Sequence, residues 1–104
     1  MILEVADLQI KPDLEKDFEE AFYMASSIIS SMHGYVSHSL KRCMEHKNKY
    51  LLLVWWETIE DHEIGFRQSI EYQQWKNLLH HFYDPFPTVL HYETRFSGLE
   101  SRTN

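Results

Sequence analysis

Apolar and polar residues alternate along "ILEVADLQI", residues 2–10, in a segment of aliphatic and β-branched side chains, which predicts a first strand broken by Lys11-Pro12-Asp13. From Pro12 the period lengthens. Leu14, Phe18, Ala21, Phe22, Ala25, Ile28, Ile29 and Met32 recur at helical spacing, and Asp13, Glu15, Asp17, Glu19 and Glu20 crowd the N-terminal end, where the helix dipole favours anions. Gly34 follows the last apolar position and offers the left-handed residue that closes the helix. "YVSHSLKRCM" predicts a second strand, joined by the polar "EHKNK" to a third, "YLLLVWWE"; so short a connection makes an antiparallel hairpin. Thr58, with Asp61 three positions on, predicts the cap of a short helix through "IEDHEIGF". Ser69 caps a longer one, "IEYQQWKNLLHHFY", with Tyr72, Trp75, Leu79 and Phe82 as its buried stripe. Asp84-Pro85-Phe86-Pro87 stops that helix, and "TVLHYETRF" alternates as a last strand.

The order β-α-β-β-α-β predicts an α+β fold of the ferredoxin-like kind, with two helices on one face of a four-stranded antiparallel sheet. The third strand is apolar on both parities: Tyr50, Leu52, Val54 and Trp56 share one face, and Leu51, Leu53 and Trp55 the other. Two helices cover only one face. A second subunit is therefore expected to cover the other, sheet against sheet, in a symmetric homodimer.

With 104 residues, 43% of them hydrophobic, and only three glycines and three prolines, the chain has the size and composition of one globular domain. That domain is expected over residues 1–96, with "SGLESRTN", which has no period, as a flexible tail over 97–104. A net charge of −6 with scattered Lys and Arg speaks against a nucleic-acid backbone as partner. The N-terminus lacks a basic region before its apolar residues and is not expected to be a signal peptide, and no apolar run reaches membrane-spanning length. The single Cys43 excludes an intrachain disulfide and suits the cytoplasm.

Over about Ile2 to Tyr92 the chain resembles the antibiotic biosynthesis monooxygenase family of dimeric α+β barrels, which includes quinol monooxygenases. The likeness rests on "LQIKPDLEKDFEEAF", "SSMHGYVSHSLKR", "YLLLVWWETIEDH" and the S-x-x-Y-x-x-W entry to the second long helix. Many relatives carry a histidine where Gly65 and Phe66 stand here, so that residue's role does not transfer. The resemblance implies oxygen insertion without metal or flavin, with dioxygen reduced by an electron-rich phenol or quinol once it is deprotonated. Such chemistry needs a water-excluding apolar cavity, a base of suitable pKa and a donor for the phenolate.

Trp56, Phe66, Tyr72, Trp75, Phe82 and Phe86 are the candidate cavity lining; His80, His81, His38 and His91 are the candidate bases, and Tyr83, Arg67 and Asp84 the candidate donors. Of these, His80, His81 and Tyr83 are the expected catalytic residues, while His38 and His91 are placed with the substrate-binding set. Adjacent helical residues diverge by about 100°, so at most one of His80 and His81 faces the cavity. Both also stand in a last helical turn, where cationic side chains suit the dipole. No His-x-x-His or His-x-x-x-His occurs despite seven histidines, so no metal site is expected. A non-catalytic barrel binding a hydrophobic ligand is the alternative reading. Haem degradation fits less well, because haem-degrading relatives pair a first-strand Asn with a Trp and a His, and here the first strand has no Asn while Phe66 and Lys76 stand nearest the other two.

Overall fold

The computed structural model describes residues 1–98, and its strands and helices follow the expected order. β1 (Ile2–Gln9), α1 (Glu15–Ser30), β2 (Tyr35–Arg42) and β3 (Lys49–Trp56) are followed by a π-helical segment (Asp61–Phe66), α2 (Ile70–Leu79), a 3-10 turn (His80–Phe82) and β4 (Thr88–Glu93). The four strands form one antiparallel sheet in the order β2-β3-β1-β4, the ferredoxin-like arrangement. Residues 97 and 98 are exposed and carry no regular structure; the rest of the expected tail lies outside the described residues.

Strand alternation decides which side chains meet the helices. Ala6 and Leu8 of β1 pair with Leu52 and Tyr50 of β3, and with Val54 and Trp56 they make the inner face. Phe18, Phe22, Ala25 and Ile29 of α1 and Trp75 and Leu79 of α2 close over it. The Phe18 ring is wholly buried among those of Phe22, Tyr50, Phe82 and Tyr83. Burying one such ring contributes about 2–3 kcal/mol. Tyr50 lies under α1 and donates its hydroxyl hydrogen to Glu19 Oε2 at 2.6 Å, so its polar end is satisfied at the edge of the core.

Three details refine the reading from periodicity. Asp13 has a positive φ of 67°, in the turn between β1 and α1, so α1 begins at Glu15 rather than at Pro12. The N–H groups of Ser31 and Met32 close α1 on the carbonyls of Ile28 and Ile29, and Gly34, at φ +81°, instead turns the chain into β2. A bulge between Tyr35 and Ser37 puts Tyr35 and His38 on the same inner face although they are three apart. Both helix caps expected from the sequence are present: Thr58 Oγ1 accepts from Asp61 N (3.1 Å), and Ser69 Oγ from Tyr72 N (3.1 Å). Among the described residues no helix is long and apolar enough to cross a membrane.

Candidate functional site

β1 supplies the floor of a cavity of about 380 Å³ between the sheet and α2. Ala6, Leu8, Leu52 and Val89 form the floor, Phe66, Tyr72 and Trp75 the aromatic wall, and Phe86 and Pro87 part of the rim. Polar groups enter from two ends of β1. Glu4, His62 and Arg67 stand at one; at the other, Tyr83 pairs with Ile10 across an isolated bridge and its ring lies 5.6 Å from that of His80. Four residue steps along a strand separate Glu4 from Leu8, about 13 Å, which is room for a flat molecule of one to three rings.

The π-helical segment builds the first end. Its widened turn is closed by Arg67 N–H on the His62 carbonyl at 3.0 Å, a five-residue step, and it leaves His62, Phe66 and Arg67 all lining the cavity. His62 is 2% exposed, and its ring stacks on Trp56 with centroids 5.4 Å apart and planes 22° from parallel. Glu4, 5% exposed, accepts from Trp56 Nε1 at 2.9 Å and lies 3.3 Å from His62 Nε2 through the same oxygen, Oε1. His62 Nδ1 meets His91 Nε2 at 2.7 Å, and His91 Nδ1 stands 3.7 Å from Glu63 Oε1.

Burial dominates the electrostatics of this group and favours its neutral forms. It pushes the Glu4 carboxyl up to about 7, against the hydrogen bond from Trp56 and the positive charge of Arg67. It pushes His62 down to about 3, with Arg67 and His91 adding to the effect. His91 is lowered by burial and partly held up by Glu63; His80 is lowered by burial and by Lys76. Burial raises the phenols of Tyr72 and Tyr83 above their ordinary value. The first end is thus a carboxyl that titrates near neutrality beside an imidazole that stays uncharged there.

The candidate residues from the sequence divide in space. Phe66, Tyr72, Trp75, His80, Tyr83 and Phe86 all line the cavity. The Nδ1 of His80 is buried and has no hydrogen-bond partner among the described residues, whereas His81 is exposed with its ring against Phe82. Trp56 and Phe82 lie in the core behind the cavity wall, because the inner parity of β3 carries Trp56 under His62 and the 3-10 turn rotates Phe82 toward Phe18. His38 sits in a separate cluster, with Nε2 2.9 Å from Ser26 Oγ and Nδ1 against the Tyr35 hydroxyl. His91 reaches the site only through His62. Asp84 is exposed, and Asp7 lies on the outer sheet face 3.7 Å from Lys49.

Glu4 and His62 are absent from the candidates that composition and motif suggest, yet each left a signal. Glu4 shares the inner parity of Ile2, Ala6, Leu8 and Ile10, where a lone carboxylate is out of place. His62 falls at helical spacing between Ile59 and Phe66. Among the described residues no group of three or more His, Cys, Asp or Glu side chains is arranged to hold a metal ion.

Comparison with known proteins adds a family to this geometry. Residues 1–78 match the family model of the antibiotic biosynthesis monooxygenases. The uncharacterized protein YczJ of Bacillus subtilis (strain 168) is 61% identical over 93 residues, covering 89% of this chain and 98% of that protein. A crystal structure of a provisionally assigned antibiotic biosynthesis monooxygenase from Bordetella bronchiseptica superposes with a TM-score of 0.88 at 32% identity, over 91% of this chain and 97% of that one. SnoaB, a cofactor-independent oxygenase from Streptomyces nogalater, shares the fold with a TM-score of 0.77 at 17% identity, over 95% of this chain and 97% of that one.

Proposed function

Because the chain belongs to the antibiotic biosynthesis monooxygenase family, we propose that its cavity takes a small aromatic or quinol-like substrate and that dioxygen oxidises this substrate there without metal or flavin. The observation that carries this reading is a buried carboxyl with a pKa of about 7 that opens into an aromatic-walled cavity. A base of that pKa is half ionised at neutral pH and suited to taking the proton of a phenol. Glu4 removes the hydroxyl proton, and the Arg67 guanidinium at the same end of the cavity stabilises the phenolate. His80 and Tyr83, at the far end, orient a second polar group of the substrate; His81, on the outside, takes no part. The apolar floor keeps water from competing with dioxygen.

For a quinol the reaction balances as quinol plus dioxygen giving hydroxyquinone plus water. The substrate supplies four electrons, one oxygen atom forms a new ring C–O bond, and the other leaves as water. Oxygen uptake by metal-stripped protein with 1,4-dihydroxynaphthalene, catechol and anthrone, read together with product mass, tests the reading. Enzyme-dependent uptake with one oxygen atom added is the expected result, with turnover reduced about a hundredfold in Glu4→Gln. Binding of these compounds without uptake would instead favour a barrel that only holds a hydrophobic ligand.

In the same reading a second copy of the chain covers the outer sheet face, and the protein works in the cytoplasm. Support for the dimer comes from the register, which lines up Trp55, Leu3 and Tyr92 in one row and Leu53, Val5 and Leu90 in the next, all facing away from the helices. Leu90 is 53% and Tyr92 51% exposed in the single chain, in a contiguous apolar patch of the kind soluble monomers avoid.

A further inference from the structure

The His62 ring has two polar partners and almost no solvent contact. Nε2 faces Glu4 at 3.3 Å, Nδ1 faces His91 at 2.7 Å, and Trp56 stacks over the ring. The next ring, His91, turns its other nitrogen toward Glu63, whose side chain is 49% exposed. Four titratable groups therefore run in a line from the cavity to the surface, contributed by β1, the π-helical segment and β4.

We propose that His62 and His91 carry the proton accepted by Glu4 out to solvent beside Glu63, along a path that stays open while substrate fills the cavity. This deepens the reading of the cavity as a site of proton abstraction and rests on it. The Glu4 carboxylate takes the hydroxyl proton and hands it to the bare Nε2 of His62. His62 releases its Nδ1 proton to Nε2 of His91, which releases its own Nδ1 proton toward Glu63 and solvent. Each imidazole gains one proton and loses one, so neither becomes charged in a place where burial disfavours charge. The final gap of 3.7 Å is longer than a hydrogen bond but lies at the half-exposed end, where solvent takes the proton. Monooxygenation releases no net proton, so the same path run in reverse returns one for the departing water.

The other titratable or charged groups facing this line are Arg67, Tyr72, His80 and Tyr83 around the cavity. Arg67 disfavours a cationic His62 or His91 and so favours passage through neutral rings. A line of polar contacts that merely pinned the π-helical segment to the sheet would share the distances but not the proton movement.

Nitrogen-15 NMR of the imidazole rings, from about pH 5 to about pH 9, separates the two and needs no ligand. The path predicts that His62 and His91 ring nitrogens shift together, with one midpoint near the Glu4 pKa of about 7, and that Glu4→Gln removes this step from both rings. Rings that ignore Glu4→Gln, or a response confined to His62, would overturn it. The kinetic counterpart is His91→Gln with 1,4-dihydroxynaphthalene: turnover falls about tenfold at unchanged KM and is restored by imidazole in the buffer. If the parent protein turns over and His91→Gln turns over equally well, the path is wrong and the monooxygenase reading stands. If the parent consumes no oxygen, that reading fails and the ring titrations still decide the path.

Discussion

Glu4 occupies a position where strand parity calls for an apolar side chain, and the consequences extend to the stability of the chain. Its pKa is raised from 4.5 to about 7, so between those values the folded chain holds a proton that the unfolded chain has released, and stability falls as the pH rises through that window. His62 acts in the opposite sense. Lowered from 6.5 to about 3, it stays neutral in the folded chain where the unfolded chain binds a proton, so stability is lost as the pH falls from 6.5 toward 3. The two effects oppose one another between pH 4.5 and 6.5 and largely cancel there. Glu4→Gln keeps an acceptor for Trp56 Nε1 and removes the ionisation. Its stability relative to the parent is expected to grow by about 2 kcal/mol between about pH 5.5 and about pH 8.5 in urea unfolding. A difference that stays constant across that range would mean that burial does not hold this carboxyl neutral.

At the scale of elements, the π-helical segment joins the fold to the site. Its start is set by Thr58, which caps Asp61, and by Gly34, whose backbone passes against the Asp61 side chain. A Cβ on Gly34 would stand 2.1 Å from Asp61 Oδ2, and φ at this residue is +81°. Gly34→Ala therefore meets both backbone strain and a collision, with an expected loss of about 1–3 kcal/mol in stability, read from a lowered midpoint of chemical denaturation. Asp61 leads directly into His62, so the same substitution should also move the ring signals of His62 in an NMR spectrum. An unchanged midpoint would show that the Asp61 side chain swings aside at little cost. The widened turn itself follows from fitting His62, Phe66 and Arg67 to one cavity, which a regular helix of that length would spread over a wider arc.

For the whole molecule the open question is what covers the outer sheet face. The inner face is closed by two helices, while the row Leu53–Val5–Leu90 faces away from them. In the dimer proposed above, Leu53→Glu places a charge within the interface and is expected to give monomers in sedimentation equilibrium, while the parent protein sediments at twice the chain mass at micromolar concentration. A monomeric parent under those conditions would remove the dimer.

Sequence periodicity was enough for the element order, the two helix caps and the division of β3 into two faces, because each depends on neighbours a few residues away, whereas the second long helix, expected to run on to Tyr83, ends at Leu79 and gives way to a 3-10 turn before Tyr83 bridges to Ile10. It also separated His80 from His81, since adjacent helical positions cannot share a direction. The site needed more. Trp56 and Glu4 are 52 residues apart and His62 and His91 are 29 apart, and only the pairing of β1 with β3 and β4 and the widened turn after β3 bring them within hydrogen-bonding distance. Strand parity could say that Trp55 and Trp56 part company, but not which one turns inward; the helices decided that by covering the face of Tyr50 and Trp56. The pKa of Glu4 depends on tertiary structure for the same reason: a carboxyl in the extended chain is wet, and only closure of the helices over the sheet takes the water away.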